Sequence, residues 1–280
     1  MISNPNCKIN LGLRVLRKRP DGYHDLDSVF LPVPLCDRLE ITPLENMPEG
    51  ALRFTQSGIP VDCAPEDNIC AKAYRLLQAD FPHIAPASIH LTKNIPFGAG
   101  LGGGSSDAAF TLRMLNQLFA LGLTTAQLCG YAARLGADCA FFVANQPAHV
   151  TGIGDQLSPL GFNPIEDYHL VLAKPNDAVS TREAYGGLHI DPAAASSPSM
   201  AQLVRQPIAC WRSTVLNDFE STVFPLHPGI AQLKELFYRH GALYASMSGS
   251  GATVFALFAK DRPLPQPLLD ALGSTLLLAC

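Results

Sequence analysis

The chain has 280 residues, 48% hydrophobic and 16% charged, enough apolar material for one large domain or two ordinary ones. A formal net charge of −4 gives no positive field of the kind a nucleic-acid-binding surface needs, so anionic partners must be met by local groups. Cysteines at 7, 36, 63, 70, 129, 139, 210 and 280 form no C-x-x-C pair and sit mostly among apolar neighbours, which favours reduced thiols over zinc, iron–sulfur or disulfide frameworks.

The start, "MISNPNCKINLGL", lacks a basic segment followed by a long apolar one, and no stretch reaches the roughly 18 uninterrupted apolar residues of a membrane span. The expectation is a cytoplasmic protein with no membrane and no nucleic-acid partner, a monomer or a weak homodimer. From Cys7 to Val15 apolar and polar residues alternate, which predicts a half-buried strand with Lys8 and Asn10 on its exposed face. "RPDGYHDL" reads as a tight turn. Asp37–Ile41 and Leu52–Gln56 read as strands, and the run from Asp67 as a helix capped by Asp67 or Asn68.

A strand, Ser88–Ile95, leads into "PFGAGLGGGSSDAA" (96–109). After Ser105 an amphipathic helix carries Ala108, Leu112, Leu115 and Phe119 on one stripe, with Gly122 as its stop. A second helix ends at Gly136 and runs into "ADCAFFV"; "AHVTGIGDQLSPL" reads as strand, turn and strand. "GFNPIED" (161–167) breaks the pattern and marks a domain boundary, giving domains 1–160 and 161–280. Beyond it come a strand (Tyr168–Ala173), a loop and helix through "NDAVSTREAY", a surface loop at 191–199, a helix ended by Gly241, and two strands around the glycines of "SMSGSGATVF". Mixed strands and helices, with strands clustered early, point to an α+β class.

Three readings compete for the glycine stretch. Gly98 to Gly103 satisfies G-x-G-x-x-G, but that dinucleotide fingerprint needs a ribose-binding acid about 20 residues on, and no Asp or Glu occurs between Asp107 and Asp138. A Walker A loop requires a lysine after its glycines, and none is there. A flexible linker would not be flanked by a strong strand and a strong helix. What fits is a phosphate cradle at a helix N-terminus, where backbone N–H groups and the helix dipole meet anionic oxygens. Ser105 and Ser106 add hydroxyls for phosphate or Mg²⁺; Asp107 could hold a cation or answer the helix dipole.

"CKINLGLRVLRKRPDGYHDLDSVF", "NIPFGAGLGGGSSDAA", "LGADCAFFV", "GIGDQL", "NDFE" and "MSGSGATVFALF" together resemble the motif set of the GHMP kinases, spread from residue 7 to residue 258. "RPDGYH" beside "KINL" resembles the branch that phosphorylates the 2-hydroxyl of a cytidyl-linked methylerythritol in the non-mevalonate isoprenoid pathway. The resemblance implies a two-domain GHMP kinase fold. Its N-terminal ATP-binding domain would be ribosomal-protein-S5-domain-2-like and its C-terminal domain ferredoxin-like, with ATP and substrate meeting in the cleft between them. ATP and Mg²⁺ are the implied cofactors, with no dedicated metal ligand among the side chains.

The resemblance also implies roles. Lys8 and Asp138 match the catalytic pair: Asp138 accepts the proton of the attacking hydroxyl, and Lys8 stabilises negative charge on the transferring group. The ATP loop corresponds to Pro96, Phe97, Gly98, Ala99, Gly100, Leu101, Gly102, Gly103, Gly104, Ser105 and Ser106. Tyr23 matches the family's ring on the cytosine face and His24 the hydrogen bond to its edge. Tyr185 matches an aromatic on the other face, Thr181 a polar contact, and Asn10 a substrate contact. The turn Gly249-Ser250-Gly251 would close over the site, while Asn217 and Asp218 read as structural. Cys139-Ala140 stands where the family has Val-Pro, a change in backbone stiffness that removes no functional group. Two alternatives stay open: another GHMP kinase, acting on homoserine or mevalonate, which have no base to stack, or a nucleotide-binding module without chemistry.

Overall fold

The computed structural model describes residues 1–48 and 50–280. Two strands open the chain, β1 (Ile2–Ser3) and β2 (Asn6–Lys18). The alternation in β2 predicts one wet face, and this is corrected: Cys7 to Leu13 is buried throughout, with Lys8 only 4% and Asn10 only 2% exposed. A period of two reports which residues share a face, not what covers that face. After the "RPDG" turn, with Gly22 at φ 89°, come β3 (His24–Cys36), β4 (Arg38–Pro43) and β5 (Leu52–Gly58).

Helix α1 (Ile69–Asp80) takes Asn68 as its cap, the Asn68 side chain accepting from the Cys70 N–H. β6 (Ala87–Lys93) buries every second residue, Ala87, Ile89, Leu91 and then Lys93. α2 (Gly103–Leu118) begins earlier than expected, inside the glycine run, and stops four residues before Gly122. Ala120 takes φ 48°, and the Asn116 side chain both donates to and accepts from the Leu123 backbone, so a side-chain clasp ends this helix. α3 (Thr125–Leu135) starts with a Thr124/Gln127 capping box and ends at Gly136; α4 (Cys139–Ala144) follows.

β7 (Ala148–Thr151) and β8 (Gln156–Pro159) form the expected hairpin, and β9 is Tyr168–Ala173. Then come α5 (Thr181–Tyr185), α6 (Met200–Leu203), α7 (Ile208–Thr214), α8 (Glu220–Leu226) and α9 (Pro228–Arg239). β10 (Tyr244–Met247), β11 (Val254–Ala259), α10 (Gln266–Leu272) and β12 (Leu276–Ala279) complete the chain.

These elements group into two compact units. The first comprises Met1–Lys8, Pro32–Phe97 and Gly102–Gln146. Its sheet has the order β1-β4-β6-β5, antiparallel except for the parallel β5–β6 pair that α1 connects. α1 packs on α2, and α2 packs on β4, α3 and α4. The second unit comprises Ile9–Leu31, Gly98–Leu101 and Pro147–Cys280. Its antiparallel sheet β10-β11-β9-β12 supplies Val171, Ala173, Val254 and Ala256 to a core shared with Val223, Ile230, Leu233 and Phe237 from α8 and α9. The sheet β2-β3-β7-β8 carries the remaining strands.

Candidate active site

In the first unit, Lys8 Nζ lies 3.4 Å from Asp138 Oδ2. The lysine is 4% exposed and the aspartate 30%, so the pair is rooted on the protein side and open at the carboxylate. Asp138 precedes α4 with φ −77° and ψ −12°, and its side chain makes no capping bond. An aspartate at a helix start ordinarily caps it; here the carboxylate is turned to Lys8 instead.

Gly102, at φ 68°, is the residue before α2, and no side chain caps that helix. The first N–H groups of a helix have no intrahelical acceptor, so those of Gly103, Gly104 and Ser105 are donors for an outside anion. A side chain at Gly102 would put its Cβ 3.2 Å from Lys8 Cε and 3.1 Å from the Phe142 ring. Glycine here therefore serves both a left-handed turn and the close approach of the Lys8 side chain. Ser106 Oγ is buried with no partner, an acceptor and donor left for a ligand or a ligand-borne ion. Among the described residues no group of three His, Cys, Asp or Glu side chains is arranged to hold a metal ion. The residues present thus fit Mg²⁺ as an ion carried by nucleotide phosphates, with serine hydroxyls as its protein oxygens.

Asp107 does not face outward as a cation ligand. It is 2% exposed, and its Oδ2 takes a hydrogen bond from Lys93 at 2.8 Å. Lys93 also binds Asp37, which in turn accepts from the N–H groups of Asn94 (2.6 Å) and Ile95 (2.8 Å). This cluster ties the chain entering the glycine stretch to the first turn of α2. Burial, opposed by Lys93 and reinforced by Asp37, pushes the Asp107 carboxyl up to about 8. Sequence reading missed the cluster, although Lys93 on the buried side of the β6 alternation was its signal. Cys139, next to Asp138, is a buried thiol pushed up to about 11 by burial, which makes it no nucleophile.

In the second unit, Asn10 is held through its backbone N–H, which donates to Ser248 Oγ, and through its Nδ2, which donates to Ser28 Oγ, both at 3.2 Å. Ser248 Oγ donates to the Gly100 carbonyl at 2.9 Å. A Cβ at Gly100 would stand 1.9 Å from the Ser248 carbonyl oxygen, so only glycine fits there. Ala99 and Leu101 are buried and can offer a nucleotide only their backbone. Asn217 donates to the carbonyls of Met247 (2.7 Å) and Gly249 (2.9 Å) and accepts from the Phe219 N–H, pinning the glycine turn; Asp218 accepts from the Val15 N–H.

Tyr23 is 61% exposed at the turn. His24 opens β3, and its ring stacks on Tyr185 with centroids 4.4 Å apart; Tyr185 also meets Phe219 edge-on at 4.7 Å. Burial and the charge of Lys18 lower the His24 imidazole from its usual value, so it is neutral at pH 7. Thr181 is the first residue of α5 and is exposed. Phe97, in the first unit, is 74% exposed.

A strand that runs into an uncapped glycine helix start, with a lysine–carboxylate pair in the same unit, is the arrangement of a GHMP-type phosphotransferase. Residues 68–151 match the GHMP kinases N terminal domain and residues 197–276 the GHMP kinases C terminal. The chain is 48% identical over 268 residues to the 4-diphosphocytidyl-2-C-methyl-D-erythritol kinase of Bacteroides thetaiotaomicron, covering 95% of each. A crystal structure of 4-(cytidine 5'-diphospho)-2C-methyl-D-erythritol kinase superposes with a TM-score of 0.79 at 29% identity, covering 100% of this chain and 97% of that one. The mevalonate kinase of Methanococcus jannaschii shares the fold, with a TM-score of 0.73 at 11% identity over 98% and 95% of the two chains. The chain belongs to the GHMP kinases, and within them to the family of the 4-diphosphocytidyl-2-C-methyl-D-erythritol kinases.

Proposed function

We propose that this kinase transfers the γ-phosphoryl group of ATP to the 2-hydroxyl of 4-diphosphocytidyl-2-C-methyl-D-erythritol. The observation that carries the reading is the Lys8–Asp138 pair, 3.4 Å apart, in the same unit as the uncapped start of α2. In this reading the N–H groups of Gly103, Gly104 and Ser105 hold phosphate oxygens, and Mg²⁺ brought in with the nucleotide would spread the phosphate charge. Asp138, open to solvent and not spent on capping, takes the hydroxyl proton as the oxygen attacks phosphorus. Lys8 faces the same carboxylate and meets the negative charge that builds on the transferring group.

The cytidyl group is assigned to the second unit. Tyr23 offers an exposed aromatic face for a pyrimidine. A neutral His24 has one ring donor and one ring acceptor, which suits the donor and acceptor edge of cytosine. Thr181 and Tyr185 on α5, and Asn10, complete the proposed contacts. The domains are read as 1–160 and 161–280, a division supported by the two family matches lying on either side of it. Eight free cysteines support a reducing cytoplasm as the enzyme's setting.

The test is phosphate transfer from ATP to the cytidyl compound, mevalonate and homoserine, assayed side by side. Turnover of the cytidyl compound at a kcat/KM at least about 100-fold above the other two is expected, because a site built to bond a base rejects substrates lacking one. Turnover of mevalonate or homoserine in its place would overturn the specificity.

A further inference from the structure

Helix α5 is only five residues long and carries two of the residues assigned to the substrate, so something must fix it. One side is held by rings, His24 and Phe219 against Tyr185, and by the Thr222 hydroxyl donating to the Ala184 carbonyl. The other attachment is ionic. His227, between α8 and α9, places Nε2 3.0 Å from Glu183 Oε1 and Nδ1 3.2 Å from Asp177 Oδ1. Glu183 lies on α5, and its second oxygen faces the Ser180 N–H in the capping box of the helix. Asp177 lies in the loop that leads to α5, and Lys174 at the end of β9 donates to the Asp177 carbonyl.

Ionised carboxylates accept and do not donate, so bonds from both ring nitrogens require both to carry a proton. The clamp therefore exists in full only for the imidazolium; a neutral ring turns a lone pair toward one of the two carboxylates.

We propose that His227 is a positioning residue for the cytidyl substrate: by bridging Asp177 and Glu183 it fixes α5, and with it Thr181 and Tyr185. This rests on the reading that α5 contacts the substrate. The charged groups facing the ring are Asp177 from the loop and Glu183 from α5; the Lys174 ammonium donates to the Asp177 backbone carbonyl. Both carboxylates favour the charged ring, and the His227 imidazole is raised from its ordinary value, chiefly by the Glu183 bond. Deprotonation above that value loosens α5 and weakens binding of the cytidyl compound while leaving the ATP loop untouched.

Steady-state kinetics on the full chain, with each substrate varied between about pH 6 and about pH 9, tests this. The wild-type KM for the cytidyl compound is expected to rise with pH while the KM for ATP stays flat. His227→Gln should raise the cytidyl KM about fivefold at the lower pH and remove its pH dependence, with kcat and the ATP KM little changed. His227→Lys, which keeps a multiply donating cation across this range, should recover part of the affinity. Tyr185→Ala is the control for the underlying reading. If it raises the cytidyl KM and His227→Gln does not, the clamp is wrong and the reading stands. If Tyr185→Ala has no effect, α5 does not serve the substrate and both fall. A flat wild-type pH profile, or His227→Gln raising both KM values alike, also overturns the proposal.

Discussion

Lys8 and Asp138 come within 3.4 Å of each other across 130 residues of sequence, the lysine buried and the carboxylate partly open. A lysine can be sunk into an interior only where its charge is answered, and the answering group is the one side chain next to α4 that declines to cap its helix. Asp138→Asn keeps the shape and removes the base. The expected result is a kcat lowered about 10³-fold, with dissociation constants for ATP and the cytidyl compound within about threefold of wild type. Single-turnover rates and equilibrium binding on the same preparation check this; near wild-type turnover would remove Asp138 from the chemistry.

Asp107 predicts a pH dependence of stability. Its carboxyl rises from 3.8 in the unfolded chain to about 8 in the fold, chiefly through burial. The folded state therefore holds a proton that the unfolded state releases. The resulting stabilisation is full below pH 3.8 and is lost progressively as the pH climbs toward about 8. Asp107→Asn stays neutral throughout, so its stability should be flatter across that window and no lower than wild type at the alkaline end. Urea unfolding at a series of pH values measures both slopes.

Asn217 predicts a stability loss localised to the glycine turn. Asn217→Ala leaves the carbonyls of Met247 and Gly249 and the N–H of Phe219 without their side-chain partner in a buried setting. A cost of about 2–4 kcal/mol follows. Asn217→Asp should be nearly as damaging, because a carboxylate cannot donate to either carbonyl. Chemical denaturation of the two variants gives the comparison, and hydrogen exchange should show the turn at 248–251 opening first.

Local chemistry was legible because its partners are near in sequence. Asn68 caps α1 two residues away, Gly136 ends α3, and β10 and β11 pair on either side of the glycines between them. The start of α2 was misread for the same reason in reverse. A run of glycine has low helix propensity, and here the close packing of Gly103 beside Ile95, which a side chain would block, overrides that preference. His227 gave no signal at all, since its two partners lie 50 and 44 residues upstream.

The sequence by itself determined the family, the strand–glycine–helix order and the residue types of the Lys8–Asp138 pair, all carried by short motifs whose spacing is read along the chain. Tertiary structure decided which polar residues are buried and what answers them. Lys8 and Asn10 leave the water face, Asp107 is turned inward to Lys93, and Tyr185 is laid on His24. The physical reason is that alternation and caps are settled within a few residues of chain. The cost of burying a charge is settled only by the group that arrives from elsewhere to meet it.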